Sequence, residues 1–387
     1  MEKIVLNGIT WGHTRGIVPL LAGAQRYNEL YPHIEINWKK RTLQEFADYP
    51  IDKLTKVYDL LIIDHPWVGT ASNGNYVLPL DDYLTEQYLK TQFKDSIGYS
   101  HSSYEYDGKQ WALAIDAAAP VASFRKDLFD KNLQTVPDTW EELLELAQQG
   151  KVLLPGIPID TLMAFYSFCI AYGHHPFTDP ERQKVVNDEI GLKALEAMNS
   201  LWDLCDRRIF DCNPIAVAEL MTTTDDYWYC PFAYGYSNYS RDSYAKNILT
   251  YTETIRFGSF GRLKTTLGGT GIAISSSCKY QPEALDFVQW IADASIQTGL
   301  YTGNGGQPAN RNAWLNETNN IIANNYFVNT LPTIDNAFVR PRYNGYLHFQ
   351  DIAGDPIKTY LQNGGNPKEV LNAINVMYIK SIKHAKQ

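Results

Sequence analysis

The sequence predicts an α/β protein of two lobes, mostly parallel sheets flanked by helices. Three observations predict it. The chain has 387 residues, 44 % of them hydrophobic, and a single core stops growing near ~250–300 residues. Residues 4–63 read strand, helix, strand, helix, strand, the alternation that packs helices on a parallel sheet. The last of these strands ends in the unbroken apolar run Leu60-Leu61-Ile62-Ile63, as a parallel strand covered on both faces does.

In chain order, Ile4 to Ile9 is a short apolar strand. Thr10-Trp11-Gly12-His13-Thr14-Arg15-Gly16 is a polar loop with two glycines. A helical pattern begins at Val18 and stops at Tyr31-Pro32, because proline disfavours helix in the residue before it. Ile34 to Trp38 alternates as a strand, and a helix is expected from Leu43 to Thr55. Asp107-Gly108 sits between two strand-like pieces, a hairpin signal. Residues 112–120 form the first crossing between lobes. Thr139 and Glu142 make a capping box, and Gly150 stops that helix. Leu192 to Leu204 is another helix, and residues 225–240 are crowded with aromatics. Thr266 to Ile274 is a glycine-rich loop and a strand. A helix follows over 283–296, then a second glycine-rich loop at 303–311, and an amphipathic helix closes the chain over 367–383.

Composition excludes several classes. Lys and Arg number 34 against 43 Asp and Glu, a net charge of −9, which disfavours nonspecific nucleic-acid binding and anionic membrane surfaces. No stretch of ~18 apolar residues suggests a membrane-spanning helix. Aromatics at 13 % argue against disorder. Five cysteines do not make a disulfide scaffold; Cys205 and Cys212 read as buried small apolar residues. Met1-Glu2-Lys3 runs straight into the first strand, without the basic start and long apolar stretch of a secretory signal. A cytoplasmic chain and a trimmed, exported one both fit.

Ligands of open α/β sheets bind outside the carboxyl ends of the strands. Those ends carry Trp11 to Arg15, Lys39 to Thr42, and Asp64-His65-Pro66-Trp67. The fold is expected to bring these distant segments to one edge.

The order and spacing of these phrases resemble a family. The opening strand-loop-helix, the strand ending at Asp64-His65-Pro66, the Asp107-Gly108 hairpin, and Phe124-Arg125-Lys126-Asp127-Leu128 before Pro137-Asp138-Thr139-Trp140 resemble extracellular solute-binding proteins of ABC importers, carbohydrate class. So do Gly271-Ile272-Ala273-Ile274 and the run from Ala284 to Ile291. Thr10 to Gly16 with Trp38 to Arg41 is similar to a branch whose members often lack signal peptides. The resemblance implies a two-lobe periplasmic-binding-protein-like fold with a hinge of crossing strands. Lobe one would span 1–115 and 268–312, lobe two 118–265 and 315–387, with crossings near 112–120, 264–270 and 312–315. It implies a monomer that captures a sugar or sugar-derived acid in the interlobe cleft, closes on it by hinge motion and delivers it to an ABC permease outside the cytoplasm. It implies no cofactor and no metal.

A sugar site needs flat apolar faces for the ring and polar groups for the hydroxyls. Trp11, Trp67, Trp228 and Tyr234 are the stacking candidates. Asp64 and Asp116 can accept from vicinal hydroxyls; Arg15, Arg41 and Gln307 can donate. Asp116 reads equally as half of a hinge salt bridge. His13, Thr14, Arg15, Arg41 and His65 suit an anionic group, or Arg15 pairs with Asp64 and holds the loops. Gly269 permits close backbone approach. Nucleophile-elbow, phosphate-loop and zinc-helix motifs are absent from the sequence, and His174-His175 lacks a third nearby ligand. The alternative is a cytoplasmic enzyme on the same scaffold, working on a small polar metabolite through His13, His65 and Asp64.

Overall fold

The computed structural model describes residues 3–42, 51–178 and 183–384. Of the helix expected over 43–55, residues 43–50 lie outside these, and Ile51–Leu54 is helical. The principal elements in chain order are β1 (Ile4–Trp11), α1 (Thr14–Leu30), β2 (Ile34–Arg41), β3 (Leu60–Ile63), β4 (Leu113–Ala118), β5 (Pro120–Phe124), α2 (Trp140–Gln148), α3 (Pro158–Ala171), α4 (Asp188–Trp202), β6 (Tyr229–Tyr234), β7 (Thr250–Thr252), β8 (Gly268–Ile274), α5 (Gln281–Ile291), α6 (Tyr346–Asn363) and α7 (Pro367–His384).

They divide into two compact units. Unit one comprises Met1–Ala118, Leu267–Ile322 and Arg342–Asn344; unit two comprises Ala119–Thr266, Ala323–Pro341 and Gly345–Gln387. The chain changes unit at 118/119, at 266/267 and then at 322/323, beyond the stretch 312–315. The reason is local. Trp314 donates its indole N–H to Pro308 O at 2.6 Å, and Asn319 donates to Thr298 O and Ala313 O, so the helix Arg311–Leu315 is fastened to unit one. The return visit at Arg342–Asn344 is fastened likewise: the Arg342 guanidinium donates to Ser102 O and Glu105 O, and Thr70 Oγ1 donates to Asn344 Oδ1.

Unit one carries a five-stranded sheet in the order β2-β1-β3-β8-β4. β1 is parallel to β2 and to β3, whereas β8 lies antiparallel to both β3 and β4. The continuous apolar run marks the centre of the sheet: Leu60 and Leu61 are wholly buried. Each such side chain contributes roughly 1.5–3 kcal/mol on leaving water. The hairpin forms as its Asp-Gly predicts, with Glu105 opposite Gln110 and positive φ at Asp107 and Gly108.

Unit two has a three-stranded sheet, β6-β5-β7, in which every pairing is antiparallel. This corrects the expectation of a mostly parallel sheet in both lobes. β5 leaves the unit boundary at Pro120, and β6 and β7 must both run back toward it; Pro120 pairs with Tyr234, and Ala122 with Thr252. Helices supply the bulk of this unit. The capping box of α2 forms, with Thr139 Oγ1 accepting from Glu142 N and Glu142 Oε2 accepting from Thr139 N. α3 is buried from Asp160 through Ile170 and packs against α6 at Gly354, where a Cβ would stand 1.9 Å from Pro158 O.

Candidate functional site

Strand register alone brings the expected segments to one edge of the unit-one sheet. Trp11, the last residue of β1, is opposite Arg41, the last of β2. Ile9 is opposite Leu61, so β3 ends beside Trp11 and hands the chain to Asp64. β8 enters the same edge, with Gly269 opposite Ala117 and Thr270 opposite Asp116. Sequence separation is thereby erased for Trp11, His13, Thr14, Arg15, Arg41, Asp64, His65, Asp116 and Gly269.

His13 caps α1, its Nδ1 accepting from Arg15 N at 3.0 Å. That cap turns Arg15 back over the strand ends. Its guanidinium grips Asp116 in bidentate fashion: Nε donates to Oδ2 at 2.8 Å, and Nη2 donates to Oδ1. Both residues are nearly sealed, at 3 % and 2 % exposure. The Trp11 ring lies under the guanidinium at 5.7 Å and stacks on His13 at an interplanar angle of 13°. Gly16 makes room for it, since a Cβ there would meet the indole at 2.4 Å.

The hinge-side pairing expected for Asp116 is thereby formed. Arg15 binds Asp116. Asp64 caps the turn His65–Trp67, accepting from His65 N at 2.8 Å and standing 3.2 Å from His65 Nδ1. His65 is buried, with Tyr104 edge-on at 6.4 Å. Arg41 points across the strand ends, 3.5 Å from Ile62 O.

Electrostatics follow from burial. Loss of solvent lowers His13 to about 4, with the Arg15 charge adding to the effect; the imidazole is neutral at pH 7. Burial pushes the Asp116 carboxyl up, the Arg15 guanidinium pulls it down, and nearby Asp64 adds to the rise. Of the cationic set expected from sequence, one member is uncharged and another already neutralises a carboxylate.

Gln307 has a different task. Its Nε2 donates to Ala117 O at 2.8 Å, and its backbone O accepts from Ala117 N. It stitches the loop after residue 303 to the end of β4. Gly269 has φ +101°, and a Cβ would stand 2.2 Å from Asp116 O; glycine is required there because the backbone approaches so closely. Trp228 and Tyr234 belong to unit two. Trp228 donates to Asp225 O at 3.0 Å and lies between the Lys151 ammonium and Phe129, a packed position. Tyr234 ends β6, with its hydroxyl 2.8 Å from Thr266 Oγ1. Sequence reasoning missed Tyr301, which is buried and close enough to Asp116 and Arg15 to feel both charges. No local pattern marks it. Among the described residues no three His, Cys, Asp or Glu side chains gather as a metal set, and no helix is long and apolar enough to cross a membrane.

Residues 12–298 match the family model of bacterial extracellular solute-binding proteins. The chain belongs to that family. Among solved structures, this solute-binding protein is similar to a solute-binding protein of Agrobacterium radiobacter K84 in complex with ribitol (TM-score 0.83, 19 % identity, covering 98 % of this chain and 99 % of that one). It is also similar to maltose-bound MalE3 of T. maritima (TM-score 0.81, 18 % identity, 97 % and 99 % coverage). At such identities the likeness establishes the fold. A curated binding protein of Brucella abortus is 31 % identical over 124 residues, 30 % of this chain, and the match spans 29 % of the relative's length. The maltotriose-binding protein of Pyrococcus abyssi is 25 % identical over 126 residues, 33 % of this chain and 26 % of that one.

Proposed function

We propose that this solute-binding protein captures a neutral carbohydrate or polyol on the strand-end edge of unit one and delivers it to an ABC permease outside the cytoplasm, working as a monomer. The observation that carries the reading is the edge itself: Trp11, His13 and Arg15–Asp116 stack and pair beside Arg41, Asp64 and His65. His13, Arg41 and Asp64 stay partly exposed there and can exchange hydrogen bonds with hydroxyls, while the buried Trp11 and Arg15–Asp116 pair hold them in place.

Neutral ligands are favoured over anions for a physical reason. Arg15 is already paired with Asp116, and His13 is uncharged at pH 7. An anion would have to compete with a buried carboxylate for the guanidinium. Relatives solved with ribitol and maltose support the same class, and the relatives named above are binding proteins, which gives the enzyme alternative no support.

The test is a thermal-shift screen of neutral mono- and oligosaccharides, polyols, sugar acids and sugar phosphates, with titration calorimetry on any hit. A neutral saccharide or polyol should stabilise the protein in proportion to its saturation. Stabilisation by sugar phosphates alone would reverse the charge reading.

A further inference from the structure

Asparagine followed by glycine is a reactive pair, because glycine has no Cβ to hinder attack by its backbone nitrogen on the asparagine side-chain amide. The chain holds five such pairs: Asn7-Gly8, Asn73-Gly74, Asn304-Gly305, Asn344-Gly345 and Asn363-Gly364. Four are restrained where the attack would start. Gly8 lies in β1, held between β2 and β3. The N–H groups of Gly74, Gly305 and Gly364 donate to Thr70 O, Thr302 O and Tyr360 O at 3.2, 3.0 and 2.8 Å. Asn304 Nδ2, the nitrogen that would have to leave, is itself tied to Leu300 O at 2.8 Å.

The fifth pair is different. Gly345 has φ +108°, and its N–H has no hydrogen-bond partner among the described residues. Asn344 and Gly345 are both half-buried, so water and hydroxide reach them. The amide under attack is also presented. Thr70 Oγ1 donates to Asn344 Oδ1 at 3.2 Å, while Asn344 Nδ2 makes no hydrogen bond among the described residues. Two contacts keep this geometry in register. The Arg342 guanidinium donates to Ser102 O at 2.8 Å, and Arg342 O comes so close to Gly69 that a Cβ there would collide with it.

We propose that Asn344 is the site at which the folded chain deamidates, assisted by the Thr70 hydroxyl. Hydroxide takes the Gly345 amide proton, and the nitrogen attacks Asn344 Cγ. The carbonyl electron pair moves onto Oδ1, where the Thr70 hydroxyl meets the developing negative charge. The Cγ–Nδ2 bond then breaks; Nδ2 takes a proton from water and leaves as ammonia, which regenerates the hydroxide. A second water opens the cyclic imide at either carbonyl, giving aspartate or isoaspartate. The sum is amide plus water to carboxylate plus ammonium. Isoaspartate adds a methylene to the main chain at 344/345, where the chain passes from unit one to unit two. The modification therefore marks a crossing segment and is independent of which ligand the protein takes.

The test is incubation of the full chain at pH 8 and 37 °C, native and in urea, followed by peptide mass spectrometry. Each event exchanges NH2 for OH and is read as a gain close to one dalton at its own Asn-Gly pair. In the native chain Asn344 should react about tenfold faster than the other four, which must first give up backbone hydrogen bonds. In urea the five rates should draw together. Thr70→Val should slow Asn344 about fivefold, the worth of one net hydrogen bond, and leave the other four unchanged. A merely loosened fold would instead speed them. An Asn344 no faster than Asn304 or Asn363 in the native chain overturns the proposal, and so does a lead that persists in urea. An unchanged Asn344 rate in Thr70→Val overturns the part given to Thr70. If that variant does not fold, the comparison of native chain with urea decides alone.

Discussion

Replacing Arg15 with alanine separates a structural role from a binding one. The guanidinium is almost fully buried and its two hydrogen bonds go to a carboxylate that is itself sealed. Removing it leaves Asp116 without its charge partner, a change that costs about 3–5 kcal/mol when one member of a buried pair is deleted. For a domain of ~150–250 residues each kcal/mol moves the melting temperature by about 2–4 °C. Arg15→Ala should therefore lower the unit-one transition by roughly 6–20 °C, where a ligand-only role would leave it in place. The pH dependence gives a second readout. Without Arg15 only burial and Asp64 act on Asp116, and both raise its pKa. A carboxyl raised in the folded state destabilises progressively as pH climbs above the unfolded value, ~3.9. The variant's deficit should thus be smallest near pH 4 and grow toward neutrality. Calorimetric melts from pH 4 to 8 measure both effects. A shift below ~2 °C at pH 7 would refute the buried-pair reasoning. The double variant Arg15→Met with Asp116→Leu should recover much of the loss, because it strands no charge.

Two further expectations are independent of this one. Gly269→Ala should destabilise by about 1–3 kcal/mol, since φ is +101° and the new Cβ meets Asp116 O at 2.2 Å; denaturant midpoints check it, and native-like stability would show that the β4–β8 pairing relaxes freely. His13 and His101 are both lowered to about 4 by burial. Their unfolded values lie near ~6.5, so their contribution is complete above that pH and is lost as pH falls from 6.5 through 4. Nuclear magnetic resonance of the two imidazoles reads this directly, and a midpoint near 6.5 for either would show it to be solvated.

Much of unit one was legible because its signals are local. Proline after Tyr31, alternation at Ile34, the apolar run at Leu60 and Asp107-Gly108 each specify an element within a few residues. Once β1, β2 and β3 are parallel neighbours, their carboxyl ends must share an edge. Unit two was less legible. Its sheet direction depends on where β6 and β7 return, after long helical excursions that carry no directional signal.

The sequence by itself determined the α/β alternation, two units, and the gathering of Trp11, Arg15, Arg41 and Asp64, because period and strand order suffice for these. Tertiary structure alone decided that Arg15 grips Asp116, that Gln307 secures β4, and that Asp160 Oδ2 is buried without a hydrogen-bond partner among the described residues. Pairing of charges and loss of solvent depend on which side chains meet in three dimensions, and contacts a hundred residues apart leave no trace in local spacing.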